Sequence, residues 1–223
     1  MAVECVAGNS PIRRRHGYTA VRQAILDTAR EIMRVDGVGA LSLNELARRL
    51  GMKTPSLYTY FPSKHALYDE LFRLGMQAYR QRSAELFAVH RLNEDLLEAV
   101  ITDYMRFADE NPDLYALLFE RPVPGFVPSA DSMSEATGLL EDSERRMQEA
   151  LGAGLIRSGL SAAATRDLFI TVMHGLTSLK RANEPDAPFG SGRFGGLVPA
   201  AVALVKTAWM APAAPASQGG SSS

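Results

Sequence analysis

The sequence predicts an all-α protein with a three-helix N-terminal domain and a larger C-terminal helical bundle. Apolar residues recur at helical spacing along nearly all of the chain, and we find no run typical of a strand. Residues 42–64 read as two short helices joined at a glycine. With 223 residues, 46% of them hydrophobic, the chain is long enough for one large or two modest cores.

The helical pattern starts at Tyr18 and is interrupted at a few glycine- and proline-rich segments. The first helix is expected to end at Gly37, and later helices to begin at Ser63, Asn93 and Asn111. The last helices are expected at 133–158, 161–181 and 197–210, separated by loops rich in Pro and Gly. This organisation predicts a disordered basic arm (1–17), a helix-turn-helix domain (18–63), a ligand-binding and dimerisation domain (64–210) and a disordered tail (211–223).

The helix-turn-helix prediction depends on local residue chemistry. Ser42 and Glu45 have the spacing of a capping box at the start of the first short helix. Gly51 stands where the chain must turn sharply, at a position that favours positive φ. Thr54 and Pro55 then open the second short helix, with a capping hydroxyl and a proline in the first turn.

An ordinary structural hairpin is the alternative, but composition and charge favour a DNA-binding element. The second helix carries Ser, Thr and Tyr where a structural hairpin would favour Glu, Lys and Ala. Residues 11–82 hold 13 Lys and Arg against 6 Asp and Glu, a net of +7. The other residues hold 11 against 19, a net of −8. One basic module joined to an acidic one is typical of a nucleic-acid-binding protein.

The chain resembles transcriptional regulators of the TetR/AcrR family. The resemblance covers about 50 residues, Ala20 to Leu71, and is most diagnostic in the run Leu57–Lys64. A weaker resemblance to one subgroup lies in Asn111–Tyr115 and Met173–Leu176, although Met173 stands where that subgroup often has Trp. The resemblance implies an all-helical homodimer with an N-terminal DNA-binding domain and a C-terminal domain for ligand binding and dimerisation.

The expected DNA contacts lie on the helix-turn-helix and at the start of the next helix. Short hydroxyls and Pro55 suit base edges and thymine methyl groups, and tyrosine hydroxyls suit phosphates. Tyr60 could instead pack against the first helix. The resemblance implies a phosphate contact for Lys64, and whether Arg13–Arg15 contact DNA or are only solvated stays open. The predicted DNA-binding residues are Ser42, Lys53, Thr54, Pro55, Ser56, Tyr58, Thr59, Tyr60 and Lys64.

The acidic C-terminal part is expected to dimerise and to bind a small, largely apolar effector. Small residues on the last two helices permit close helix approach in a four-helix bundle between subunits, although packing within one subunit is the alternative. The predicted interface residues are Leu176, Leu179, Ala201, Leu204, Val205, Ala208 and Trp209. For the effector pocket, where a plain core role is the alternative, the candidates are Tyr104, Phe107, Phe119, Met147, Phe169, Met173 and His174.

Other functional classes find little support in the sequence. None of the four histidines forms a Glu-x-x-His pair for a di-metal site, and no phosphate-binding loop or nucleophile elbow is present. We therefore expect no enzyme activity, no cofactor and no metal. A bundle that only carries ligands or adapts proteins would have a neutral or broken second helix. The single cysteine and the lack of a long apolar run favour a cytoplasmic regulator, expected to be a repressor, with activation as the alternative.

Overall fold

The computed structural model describes residues 11–90 and 94–210 and confirms the all-α fold class. The described part contains no strand, only an isolated bridge between Ile156 and Met210. No helix in this part is long and apolar enough to cross a membrane. The α-helices are α1 (Pro11–Asp36), α2 (Leu43–Arg49), α3 (Thr54–Leu57), α4 (Lys64–Val89), α5 (Glu94–Glu110), α6 (Pro112–Tyr115), α7 (Ala130–Gly152), α8 (Ala162–Asn183), α9 (Gly192–Gly195) and α10 (Val198–Trp209).

The chain forms two compact units. The first unit comprises residues up to Ala78 together with Asn111–Glu135, and the second comprises Tyr79–Glu110 and the residues from Ala136 onwards. The helix-turn-helix therefore packs in one unit with the start of α4 and with a segment that the sequence analysis assigned to the effector domain. The functional boundary at residues 63–64 stays a prediction.

Three predicted element boundaries are wrong. Helix α1 begins at Pro11 rather than Tyr18, because proline is well suited to a first helical turn and arginine is a good helix former. Part of the predicted basic arm is thus helical, while residues 1–10 and the predicted tail lie outside the described residues. Helix α7 covers Ala130–Gly152 rather than 133–158, and the expected loop before α10 contains the short helix α9.

The core of the first unit follows the predicted helical spacing. Ile25, Ala29 and Ile32, which recur at helical spacing along α1, are buried. Leu57 and Phe61 are also buried. Between α2 and α3, Gly51 has φ of 63°, which confirms the predicted left-handed turn. The other large buried side chains of α2 and α4 are Leu46, Leu67, Tyr68, Leu71, Phe72 and Met76.

A buried carboxylate joins α1 to α6. The Asp113 side chain is 0% exposed, and its Oδ2 accepts a hydrogen bond from Arg30 Nε at 2.7 Å. Arg34 Nη2 donates to Asp113 Oδ1 at 3.3 Å, and Arg30 Nη2 also donates to Asn111 Oδ1 at 3.0 Å. Asn111, where this helix was expected to begin, occupies the capping position, but its side chain makes no capping bond. Its carbonyl oxygen is used by Arg30 instead.

The chain after α6 packs back onto the helices of the same unit. A π-helical turn, Ala116–Glu120, follows α6, and Arg121 then adopts left-handed φ of 50°. The Phe126 ring lies 5.7 Å from the Tyr68 ring of α4. Ser129 donates through its backbone N–H and its hydroxyl to the Asp69 carboxylate at 2.7 and 2.8 Å. The segment between α6 and α7 is therefore fixed to α4 by polar and aromatic contacts.

Arg22 of α1 links the end of the helix-turn-helix to α4. Its guanidinium lies 4.9 Å from the centre of the Phe61 ring and donates to Glu70 Oε1 at 2.9 Å. Arg73 donates to both oxygens of Glu70 at 2.8 and 3.0 Å. Hydrogen bonds from Arg73, with a smaller contribution from Arg22, lower the pKa of Glu70 to about 2.

Replacing Asp113 by Asn should destabilise the protein by about 1–3 kcal/mol, because the neutral amide cannot balance two arginines that are themselves only partly exposed. Urea denaturation followed by circular dichroism measures the change. Asp27→Asn, at an exposed position of the same α1, is the control and should shift stability by less than about 0.5 kcal/mol. Equal stability of D113N and D27N would show that the buried pair contributes nothing.

Glu70→Gln should remove part of the acid sensitivity of folding. The folded-state pKa lies below the ordinary value of 4.5 for a glutamate, so the ionised Glu70 stabilises the fold above that value. This stabilisation is lost as the pH falls from about 4.5 to about 2. Urea midpoints should therefore differ most between wild type and E70Q near neutral pH and converge on acidification. Glu31→Gln, at an exposed position of α1, serves as control. A wild-type–E70Q difference that is independent of pH would contradict the assignment.

Candidate functional site

The predicted DNA-binding residues form an exposed polar face on the first unit. Pro55, Ser56, Tyr58 and Thr59 are exposed, with Tyr58 retaining 51% of its accessible surface. Behind this face, Leu57 is buried and anchors α3. Helix α3 has only four residues, so its position depends on this anchor and on the turns at its two ends.

Asn44, which the sequence analysis missed, lies at this face. The hydroxyl of Thr54 donates to Asn44 Oδ1 at 3.0 Å, which joins the start of α3 to the first turn of α2. The backbone of Lys53, rather than Thr54, occupies the capping position, so the predicted capping role of the Thr54 hydroxyl is wrong. The reason is that the helix begins one residue earlier than predicted, so Thr54 is already its first helical residue. An asparagine in the first turn of the helix before the predicted recognition helix was the available signal.

The predicted capping box at α2 is not formed. Ser42 occupies the capping position but makes no side-chain hydrogen bond there. The Glu45 carboxylate instead accepts two hydrogen bonds of 2.7 Å from Arg48 and one of 2.8 Å from Arg49. These hydrogen bonds, first from Arg48 and then from Arg49, lower the pKa of Glu45 to about 2. Two arginines at i+3 and i+4 attract the carboxylate more strongly than one backbone N–H does. Ser63, by contrast, does cap α4, accepting from the Ala66 N–H at 3.0 Å.

The two tyrosines after α3 have different environments. The Tyr60 ring stacks on Tyr18 of α1 at 4.8 Å between ring centres, and Tyr60 is half-buried. The Tyr18 hydroxyl also donates to the Thr59 carbonyl at 3.4 Å. Tyr60 thus packs against the first helix, the alternative that the sequence left open. Tyr58 has no hydrogen-bond partner within the described part of the chain.

Two lysines flank the polar face. Lys53 is exposed and makes no ion pair with any described residue. Lys64, the first residue of α4, lies with Nζ 5.5 Å from the centre of the Tyr68 ring and donates to the Gly39 carbonyl at 3.4 Å. The Tyr68 hydroxyl is buried and donates to the Val38 carbonyl. Burial raises the pKa of Tyr68 to about 12, so this hydroxyl stays protonated.

Three of the predicted effector-contacting residues come together in the second unit. Tyr104 and Phe107 of α5 are buried, and the Tyr104 hydroxyl forms a 2.9 Å hydrogen bond with Nδ1 of His174 in α8. The ring of Tyr79 lies 5.9 Å from that of Tyr104 and 4.8 Å from that of Phe107. This cluster combines an apolar aromatic surface with one polar pair.

The other predicted effector residues are more dispersed. Phe169 and Met173 are buried in α8, and Met147 is half-buried in α7, all within the second unit. Phe119 belongs to the first unit, where its ring lies 5.4 Å from that of Tyr115.

The predicted dimerisation residues divide into exposed and buried positions. Leu179 of α8 and Leu204 and Ala208 of α10 are exposed, while Leu176, Ala201 and Trp209 are half-buried. Val205 is only 4% exposed and packs inside the second unit, so its assignment to an intersubunit surface is wrong. Val205 follows Val202 and Val198 on the inner face of α10, at helical spacing. Leu168 and Leu197, which were not predicted, are exposed as well.

Comparison with known proteins places both parts of the chain in one family. Residues 25–71 match the family model described as bacterial regulatory proteins, tetR family. Residues 97–191 match the model described as tetracyclin repressor-like, C-terminal domain.

Relatives and solved structures agree with these matches. The nucleoid occlusion factor SlmA of Marinobacter nauticus is 26% identical over 144 residues, covering 65% of this chain and 73% of SlmA. The class D tetracycline repressor of Escherichia coli is 27% identical over 199 residues, covering 73% of this chain and 88% of the repressor. AibR, solved in complex with isovaleryl coenzyme A and operator DNA, has the same fold, with a TM-score of 0.63, 16% identity and coverage of 82% and 96% of the two chains. The chain belongs to the TetR family of bacterial transcriptional regulators, with a DNA-binding helix-turn-helix and a ligand-binding C-terminal domain.

Proposed function

We propose that this regulator binds a pseudo-palindromic operator as a homodimer and represses transcription until a small, largely apolar ligand releases it. The observation that carries the DNA-binding part is the exposed face formed by Asn44, Thr54 and Tyr58. These polar groups stand on a buried apolar support and are flanked by lysines. In a helix-turn-helix, the second helix enters the major groove and the first lies across the backbone.

Asn44 and Thr54 are proposed to contact base edges together. Because Asn44 Oδ1 accepts from the Thr54 hydroxyl, the Asn44 amide presents its N–H groups outward. Two N–H donors fit the acceptor atoms that purines and thymine present in the major groove. Pro55 adds a carbon surface suited to a thymine methyl group. The pair gives α3 a defined hydrogen-bonding pattern without any arginine directed at guanine.

Phosphate contacts are proposed for the cations and hydroxyls around this face. Lys53, Lys64, Ser42 and Tyr58 have free donor capacity at the surface, and phosphate contacts fix the register of the protein on the duplex. Glu45, although acidic and close to this face, is neutralised by Arg48 and Arg49. Its carboxylate therefore repels DNA less than an isolated carboxylate would.

Dimerisation is proposed through an exposed apolar stripe on the second unit. Leu168 and Leu179 lie eleven residues apart on α8, which places them on one face after three turns. Leu197, at the cap of α10, and Leu204 and Ala208 within it follow one another at seven and four residues, which also places them on one face. A Cβ atom at Gly175 would meet no atom within 4 Å, so a partner helix has room to approach the backbone of α8. A second copy of the chain, related by a twofold axis, matches this stripe with itself.

The Tyr104–His174 pair supports an effector site in the second unit. A ligand that inserts among Tyr79, Tyr104 and Phe107 would bury apolar surface and find one hydrogen-bonding partner. Helix α4 contributes residues to both units, so a ligand that repacks its second half also acts on the half that begins at Lys64. Relief of repression requires that the ligand bind the two states differently, typically by about 1–3 kcal/mol.

Tyr58→Ala should weaken binding to the DNA upstream of the protein's own gene by about tenfold, the loss expected for one charge-assisted contact. Fluorescence anisotropy at fixed ionic strength measures the affinity. Tyr58→Phe separates the hydroxyl from the ring, and Phe189→Ala, at an exposed aromatic of the second unit, is the control and should bind normally. Unchanged affinity in Y58A would remove Tyr58 from the DNA contacts. Failure of the wild type to bind any duplex at low salt would reject the proposed function.

Leu204→Glu should convert the dimer into a monomer, because it places a charge at the most exposed leucine of the stripe, which retains 66% of its surface. Light scattering after size exclusion gives the mass directly. Leu160→Glu is a matched control, since Leu160 is 48% exposed but lies outside the stripe. A wild type that is monomeric, or an L204E variant that stays dimeric, would show that this stripe is not the interface.

A further inference from the structure

Three arginines of the second unit, Arg80, Arg145 and Arg146, lie near one carboxylate, that of Asp142. Asp142 of α7 is shared between two of them: Arg80 Nε of α4 donates to Oδ2 at 2.8 Å, and Arg145 donates to Oδ1. Arg146 is the third member. Its guanidinium lies 3.9 Å from the centre of the Phe87 ring of α4.

Arg146 is the unusual member of this cluster. It is half-buried, yet it has no carboxylate within 4.0 Å and no hydrogen-bond acceptor among residues 11–90 and 94–210. Two other half-buried arginines of the same unit each have two carboxylates: Arg82 pairs with Asp103 and Glu110, and Arg166 pairs with Glu144 and Asp167. The five N–H donors of this partly desolvated cation thus receive no oxygen from the described residues.

The surroundings of Arg146 disfavour its charge. Burial lowers the pKa of Arg146, and the positive charges of Arg145 and Arg80 act in the same direction. Asp142 and Glu149 act in the opposite direction, but Asp142 is already bonded to the other two arginines. An additional anion at this point would relieve the repulsion between the guanidinium groups.

The backbone of α7 is adapted to hold Arg80 in the cluster. A Cβ atom at Gly138 would lie 2.5 Å from Arg80 Nη1 and 2.7 Å from its Cζ. A glycine inside a helix costs about 1 kcal/mol relative to alanine. Gly138 therefore gives up helix stability at the position where the guanidinium of Arg80 lies against the backbone. The Arg80 guanidinium therefore lies against the α7 backbone at Gly138 while it pairs with Asp142.

We propose that Arg146, with Arg80 and Arg145, binds a small oxyanion, the phosphate or carboxylate group of an organic ligand, on the surface between α4 and α7. The planar guanidinium of Arg146, supported on one face by Phe87, presents its N–H edge to two oxygens of the anion. The charged groups facing the site are Arg80 from α4 and Asp142, Arg145 and Glu149 from α7. The inference does not depend on operator binding. If the anion belongs to the effector, that ligand is an acid with an apolar body.

The test is a titration of the full-length protein with inorganic phosphate, which replaces chloride at constant ionic strength. Binding is monitored by the melting temperature of the protein and by the NMR signals of the arginine Nε–Hε groups. Phosphate should raise the melting temperature saturably and shift the Arg146 signal. Arg146→Gln should weaken this binding by about tenfold, the loss expected for one bidentate contact. A second titration with octanoate separates a carboxylate ligand from a phosphate ligand.

Arg106→Gln is a matched control, because Arg106 also lies over a phenylalanine, Phe189 at 4.8 Å, but is exposed and stands apart from the arginine cluster. It should bind the anion like the wild type. Phosphate that binds only at the DNA-binding face would stabilise R146Q as much as the wild type, and this result would overturn the proposal. So would the absence of saturable binding of both anions. If R146Q does not fold, Arg146→Lys takes its place. Lysine keeps the positive charge but lacks the two parallel N–H donors of the guanidinium, so R146K should show the same loss of phosphate affinity.

Discussion

The pairing of Asp113 with Arg30 and Arg34 is the interaction on which the first unit depends. A carboxylate that is fully removed from solvent is tolerated only when hydrogen bonds and opposite charge replace its hydration. Here both come from α1, the helix against which α2 packs. Because the two arginines lie four residues apart, on one face of α1, they fix the rotation of that helix as well as its position. Any displacement of α6 relative to α1 within this unit would separate charges at a buried site. The ion pair therefore acts as a specific constraint more than as a general source of stability.

The other polar contacts of the unit repeat this pattern at lower burial. Glu70 joins Arg22 of α1 to Arg73 of α4, and the Tyr68 hydroxyl holds the chain at Val38, just before α2. Apolar packing of Leu46 and Leu57 supplies the burial, but packing alone permits small rotations of helices as short as α2 and α3. The directional bonds remove this freedom. A four-residue recognition helix can present its side chains reproducibly only because the longer helices around it are fixed in this way.

Features set by local backbone preference and helical spacing were predictable, and features set by the choice between alternative side-chain partners were not. The turn at Gly51, the buried Leu57 and the cap at Ser63 follow from local conformational preference and helical spacing, and the structure confirms them. The predicted capping box is absent because Glu45 pairs with Arg48 and Arg49, and Thr54 does not cap α3 because the helix begins with it. The pairing of Arg30 with Asp113 joins residues 83 positions apart, and no periodicity in the sequence indicates it. The polar face was therefore predictable in outline, while its internal bonding, including the part played by Asn44, required the structure.

The balance of donors and acceptors separates structural from functional polar residues in this chain. Asp113, Glu70 and Asp142 have their oxygens occupied by arginines from other parts of their own unit, so they are used in folding. Lys53 and Tyr58 have no such partners among the described residues, and both lie on the face predicted to meet DNA. Exposure alone would not distinguish them, because water satisfies any surface group at little cost. Arg146 extends the same reasoning to the second unit, where water satisfies a half-buried, stacked guanidinium less completely. A cation kept partly dry and without an anion costs the fold stability, and this cost is best explained by a ligand that supplies the missing charge.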